Sequence, residues 1–472
     1  MTSIWAVARH MIAEAIRMKI ALFFICLLAL LIFGLPFVAR GDGTVSGAVQ
    51  AFMTYALTAV SFLLALLTLF MSRSLSDELV NRQILILMAK PLPRWQFMFG
   101  KWLGIVVFDV VLLVIAGAGI CGMVRYIAAS EPARDELDRQ KLDGEVLTAR
   151  HRVEAEVPGD MFKRVAETEF ERRREEGLYA DITDLNPDRV KEDLRRQVEA
   201  DWRSIVPLTY RVLQFDNVLC DRRADRTIQI RYKAVATRSP PDEIIRSRWV
   251  IGDPEKVAPV VVLRRDVHDR FHTFSVRADA VAEDRTLTIR LDNVNPYADD
   301  PAYPREPPNT VYSLPVIRLD EKAGVEVLFA VGTFEGNVVR VLALILFKLM
   351  FLAALGLLAT SVFSFPVACM VSLTVYVLAG ARGFIAEALL YLGDEGAVQV
   401  FQIVFGLVLR VVLFVIPDFP RYDAVDVLVD GRNVTLLWVL QGFGRLAVIQ
   451  TGVLLLLACL LFHRREVSEV SI

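Results

Sequence analysis

Three groups of residues in the sequence have types and spacings that could do chemistry. The first lies in residues 76–101, SDELVNRQILILMAKPLPRWQFMFGK, where Asp77, Glu78, Arg82, Lys90, Arg94 and Lys101 surround a half-apolar run broken at Lys90-Pro91. Charges of both signs on a short amphipathic element suit docking to another protein rather than bond-making. The second group is Asp109 and Lys348, each inside an apolar run. Ionisable groups in hydrocarbon are costly and mark a pathway unless they reach an interface. The third is His268 and His272, four apart, with Asp266 and Asp269 beside them. These are zinc-type donors, but that spacing suits a helix and the local pattern is a loop running into a strand, so they read as surface residues. No Gly-x-x-x-x-Gly-Lys-Ser/Thr phosphate loop occurs, because Gly100-Lys101 is followed by Trp102. Neither Gly-x-Ser-x-Gly nor His-Glu-x-x-His occurs. The chain is therefore expected to be no enzyme and to hold no cofactor of its own.

The elements that must carry these groups are mostly apolar helices. Of 472 residues, 54% are hydrophobic and the mean hydropathy is +0.44, which points to a membrane protein with a sizeable wet portion. About 20 apolar residues cross a bilayer as a helix. Residues 20–39, 51–71, 102–127, 341–362 and 446–462 meet that length, and 367–390 makes a sixth, with Arg382 and Glu387 towards its end. Residues 398–416 are long enough but carry Gln399, Gln402 and Arg410 and end at Pro417, so they read as re-entrant or interfacial. Residues 2–19 pattern as an interfacial amphipathic helix, with Ile4, Trp5, Ala8, Met11, Ile12, Ala15 and Ile16 on one face and Arg9, Glu14 and Arg17 off it. Gly117, Gly119 and Gly122 suit close helix packing. Lys and Arg crowd one side of the spans (Arg9, Arg17, Lys19, Arg73, Arg82, Lys90, Arg94, Lys101, Arg464 and Arg465). The positive-inside rule then predicts six spans, cytoplasmic termini and residues 76–101 in the cytoplasm.

By the same rule residues 127–336 lie outside the cytoplasm. Residues 131–335 carry 34 Lys and Arg against 41 Asp and Glu, a net of −7, while the remainder carries 19 against 14, a net of +5. An acidic outer region on a basic rim argues against nucleic acid as a partner. Residues 127–206 read as helical, with one stripe of Met161, Phe162, Val165, Ala166 and Phe170 and a second of Val190, Leu194, Val198 and Trp202. Residues 207–336 switch to a period of two, as at Ile228, Ile230 and Tyr232, and about eight short strands predict a β-sandwich or jelly roll. Cys26, Cys121, Cys369 and Cys459 fall in apolar runs and Cys220 stands apart, so no disulfide framework is available within the chain.

In residues 76–101, Ser76 reads as an N-cap with Asp77 and Glu78 in the first turn. Leu79, Val80, Gln83, Ile84, Leu87 and Met88 form one face, and Pro91 ends the helix. The acidic Glu78, then Lys90-Pro91, Arg94 and Gly100-Lys101, resembles permease subunits of type-2 ABC transporters of the exporter class. Ser364-Phe365-Pro366 is similar to that family's tight inner turn, and Leu461-Phe462-His463-Arg464-Arg465-Glu466 to its basic exit from the last span. The likeness covers about 260 residues, the spans and their loops. The large insertion departs from compact members. The resemblance implies a coupling helix around Asp77, Glu78, Arg82, Lys90, Pro91, Arg94 and Lys101 that docks on a separate cytoplasmic ATP-binding subunit holding ATP and magnesium. It also implies pairing with a second permease, identical or not, within the lipids of the inner membrane. Export or movement of an envelope substrate would follow. The rival reading is a polytopic anchor whose outer β-domain binds a ligand or partner without transport.

Overall fold

A computed structural model gives the fold. It describes residues 2–17, 19–38, 43–80, 93–130, 136–178, 187–221, 226–236, 243–294, 316–319, 324–384 and 416–464. The chain divides into two compact units: residues 1–149 with 332–472, and residues 150–331.

The first unit is helical. Helices α1 (Thr2–Arg17), α2 (Lys19–Val38), α3 (Val45–Met71), α4 (Arg73–Val80), α5 (Arg94–Ser130) and α6 (Glu136–Lys141) precede the insertion. After it come α9 (Phe334–Val362), α10 (Phe365–Gly380), α11 (Val425–Val429), α12 (Leu436–Gly442) and α13 (Thr451–Arg464), with a π-helical turn, Phe443–Gln450, between the last two. Five of these stretches are long and apolar enough to cross a membrane: Lys19–Phe37, Val45–Glu78, Arg94–Ala129, Phe334–Val362 and Leu436–His463. The central one is α9, 72% buried, whereas α2 is only 22% buried. Of the expected sixth span, residues 367–390, the described part holds the 16-residue α10, and residues 385–415 lie outside the described residues.

Three expectations change at element boundaries. Ser76 is not an N-cap: α4 begins at Arg73, one residue after α3, with Ser72 Oγ bonded back to the Leu69 carbonyl at 2.7 Å. The third apolar stretch, expected from residue 102, begins in a helix that starts at Arg94, the 37-residue α5. The last apolar stretch starts at Leu436, ten residues before the pattern suggested, because Gln441 and Arg445 interrupt the hydropathy without interrupting the helix. Phe363 and Ser364 join α9 to α10 tightly, with Pro366 in the first turn of α10. Of the glycines expected to pack closely, Gly117 packs against Leu342 and Gly119 against Ile32, while nothing comes within 4 Å of a Cβ built at Gly122.

The second unit is β-rich. Helices α7 (Gly159–Glu175) and α8 (Pro187–Arg203) pair through Ala166, Phe170 and Leu194. Strands β1 (Thr148–Glu154), β2 (Ser204–Ile205), β4 (Thr227–Ala236), β7 (Phe271–Arg277), β9 (Ile317–Leu319) and β10 (Val325–Thr333) form one sheet. Strands β3 (Tyr210–Phe215), β8 (Leu287–Asn293), β5 (Ile244–Ile251) and β6 (Val260–Val267) form the other, in that order. Both sheets supply one core, in which Ile228, Ile230, Tyr232, Phe274 and Val327 meet Phe215, Trp249, Ile251 and Ile289. The alternation along β4 buries Ile228, Ile230 and Tyr232 together, as the period of two requires.

Candidate functional site

The charged residues of the first group converge where α1, α4 and α5 meet. Helix α1 lies against α5 because the facing residues are glycine. A Cβ at Gly100 would stand 2.7 Å from Val7 Cβ, and one at Gly104 2.7 Å from Met11 Cβ and 2.8 Å from the Ala8 carbonyl oxygen. Two small residues one turn apart let helices approach to backbone contact. Ala8, Met11 and Ala15 are fully buried there, while Trp5 and Ile16, expected on the same face, stay exposed. Ser3 Oγ donates to Gln96 Oε1 at 2.8 Å on the same seam.

Lys101 is 1% exposed at this crossing. Its Nζ pairs with Glu78 Oε1 at 2.8 Å and lies 3.6 Å from Glu14 Oε2. It also donates to Ser74 Oγ at 2.5 Å, and the Ser74 hydroxyl donates to Glu14 Oε2 at 2.5 Å. Glu78 is 4% exposed and its Oε2 has no hydrogen-bond partner among the described residues. Glu78 and Lys101 therefore face each other inside the α1–α4–α5 crossing. Burying one charge demands the other nearby.

The remaining members of the group divide. Arg94 donates from Nη1 to the Phe462 and His463 carbonyls at 3.1 and 2.7 Å, capping the C-terminal end of α13. Phe97 stacks on Phe462 beside it, with ring centroids 6.0 Å apart. Asp77 is half exposed and pairs with Arg73 at 3.1 Å within α4. Arg82, Lys90 and Pro91 lie outside the described residues. Glu78 of α4 and Lys101 of α5, on either side of residues 79–100 in the sequence, are thus joined by one ion pair.

Asp109 and Lys348 are not brought together. Asp109 is fully buried against α3 and accepts from Thr68 Oγ1 at 2.9 Å. Thr68 Oγ1 also lies 2.7 Å from the Leu64 carbonyl. Lys348 pairs with Asp423 Oδ2 at 3.5 Å. Asp423 belongs to a compact segment, residues 416–434, tied to the other end of α3 and to the start of α9. Gln50 Nε2 donates to the Val429 carbonyl at 3.1 Å, Asn337 Nδ2 to the Arg432 carbonyl at 2.6 Å, and the Val434 amide to Asn337 Oδ1 at 2.8 Å.

In the β-rich unit His268 and His272 do not form a ligand pair. His272 Nε2 contacts the Val267 carbonyl at 2.7 Å and its Nδ1 lies 3.6 Å from Asp266. Asp269 pairs with Lys233 at 3.0 Å. Asp266 takes a fork from Arg264 at 3.0 and 2.7 Å and a hydrogen bond from the Tyr232 hydroxyl. Burial, then the Asp266 carboxylate, pushes the Tyr232 phenol well above its ordinary value. Elsewhere in this unit a cavity of about 140 Å³ is lined by Arg152, Glu154, Trp202, Arg203, Leu213 and Glu326.

Sequence reasoning missed His10, Glu14 and Ser74 as members of the α1–α4–α5 cluster. His10 and Glu14 stand one turn apart on α1, and that spacing on the polar edge of an amphipathic helix was the available signal. Comparison with protein-family models, with curated proteins and with solved structures gives no match.

Proposed function

We propose that this chain is the membrane-spanning permease subunit of a type-2 ABC transporter, with residues 79–100 as the element on which a separate cytoplasmic ATP-binding subunit docks. The reading takes the five apolar helices as spans, with the α1–α4–α5 crossing in the cytoplasmic half and residues 150–331 outside. A second copy or a related permease completes the path.

The observation that carries the reading is the closed base of residues 79–100. A push on a free loop dissipates in the loop. Here both roots are pinned to each other by Glu78–Lys101, to α1 by Glu14 and Ser74, and to α3 through the one-residue junction at Ser72. Arg94 adds a tie to the end of α13. Force delivered there by closure of the ATPase dimer reaches α1, α3, α5 and α13 together, as alternating access of a rigid bundle requires. ATP and magnesium bind the partner, and the moved substrate is an envelope component that meets the β-rich unit.

The test is co-purification from the native membrane in detergent. A phosphate-loop ATPase should accompany the wild-type chain and be lost on deletion of residues 81–90. An ATPase that stays bound after that deletion sinks the docking claim. The second reading, an anchor whose β-rich unit binds a ligand without transport, draws on the mixed polar and aromatic cavity beside Trp202 and Glu326. A ligand retained by that unit with no ATPase in the complex would favour it.

A further inference from the structure

We propose that His10, Glu14 and Glu78 hold a divalent transition-metal ion of the zinc class, stapling α1 to the root of residues 79–100. One ligand atom from each of the three lies within 4.8 Å of the other two. An imidazole and two carboxylates are the donor set of many three-ligand sites that leave a fourth position for water. His10 and Glu14 reach the same side of α1 because four residues make about one turn.

Two further observations point to a cation. Glu78 is more than nine-tenths buried, yet its Oε2 has no hydrogen-bond partner among the described residues. A buried carboxylate oxygen left unpaired is costly, and a cation removes that cost. The formal charge also asks for one. Glu14 and Glu78 carry two negative charges against the single positive charge of Lys101, which is engaged through the other oxygen, Glu78 Oε1. A metal ion on the His10 side can therefore bind without displacing the ammonium. Zinc-type bond lengths of about 2.0–2.2 Å put neighbouring ligand atoms about 3.3–3.6 Å apart, so the cluster must tighten by about 1 Å. His10 is exposed and forms no hydrogen bond among the described residues, so its side chain can make that movement.

The inference stands whether or not an ATPase docks, because it concerns only α1 and α4. The experiment uses the tag-free full-length chain in detergent, stripped with EDTA and titrated with Co²⁺, whose visible absorption reports tetrahedral nitrogen and oxygen ligands. Saturable binding of about one equivalent per chain, displaced by Zn²⁺, is the expected result. His10→Ala and Glu14→Gln should each weaken it at least roughly tenfold, since even outer-shell partners are worth about 10–100-fold in affinity. The metal-free melting curve of His10→Ala should match the wild type, because the imidazole is exposed. Zn²⁺ should raise the melting temperature of the wild type and not of His10→Ala. Absence of saturable binding, binding unchanged in both variants, or an equal Zn²⁺ shift in wild type and His10→Ala overturns the proposal.

Discussion

The buried charges of the helical unit and the exposed charges of α7 and α8 in the β-rich unit are used in opposite ways. In the helical unit the inward-facing charges are few and each joins elements distant in sequence: Lys101 joins α1, α4 and α5, Lys348 joins α9 to residues 416–434, and Asp109 joins α5 to α3. On α7 and α8 of the other unit the charges form ladders along single helices. Arg172 pairs with Glu169 and Glu176, and Arg195 with Glu192 and Glu199. Water can replace any rung of a ladder, but nothing replaces Lys101. The difference lies in solvent, not in residue type, and it decides which substitutions matter.

The largest effect is expected from Lys101→Met. It leaves the buried Glu78 carboxylate without its partner, and breaking a buried pair from one side costs about 3–5 kcal/mol. The thermal midpoint of the detergent-solubilised chain should fall accordingly. Lys101→Met combined with Glu78→Gln should recover more than half of that loss, because no unpaired buried charge remains, while Glu14 keeps Ser74 and partial solvent. A Lys101→Met chain that melts with the wild type would erase the contrast between the two units.

Next comes the crossing that brings the charges together. Gly104→Leu drives a side chain into Met11 and the Ala8 carbonyl, and backbone cannot yield as a flexible side chain does. Overpacking of this kind costs about 1–3 kcal/mol. The expected outcome is a lowered melting temperature together with earlier proteolytic release of the N-terminal residues. Release at the wild-type rate would mean that α1 is not held by its seat on Gly100 and Gly104.

Gly100 and Lys101 also show what could be read from the sequence and what could not. Gly100-Lys101 was noticed as a motif, and Asp77, Glu78 and Arg94 as charges, because composition and local order are visible along the chain. Periodicity likewise exposed the inward face of β4 and the stripes of α7 and α8 that bury Phe162, Ala166 and Phe170. Pairing across a long interval was not visible. Nothing local says that Glu78 and Lys101 close on each other, that Arg94 caps a helix ending near residue 464, or that Asn337 and Arg340 bond to residues 432–434. Hydropathy alone also placed the last helix ten residues late, since a helix tolerates Gln441 and Arg445 where a transfer scale does not.

In the β-rich unit the buried Tyr232 phenol, bonded to Asp266, predicts a smaller, pH-dependent effect. The folded unit holds the Tyr232 phenol protonated, through burial first and the Asp266 carboxylate second. A raised folded value means that the contribution is complete below the unfolded phenol value of about 10 and is lost as pH climbs above it. Denaturant midpoints of the full chain should therefore fall between pH 9 and pH 11 by more in the wild type than in Tyr232→Phe. At neutral pH the variant should lose about 1.5–3 kcal/mol, the range for a hydrogen bond to a charged group. Equal pH dependence in both chains would move the titrating group elsewhere.

The smallest effect tests the ladders. The Glu169 carboxyl is held down to about 2, by its hydrogen bonds to Arg172 first and Arg173 second. A lowered carboxylate stabilises above its unfolded value of about 4.3 and gives that up only as pH falls towards 2. The pair is exposed, so solvent screening removes most of its worth. Glu169→Gln should consequently melt within measurement scatter of the wild type at pH 7 and in high salt alike. A clear loss at pH 7 that salt abolishes would show the ladder contributing as a network, and would narrow the distance between a charge buried among helices and one strung along a helix in water.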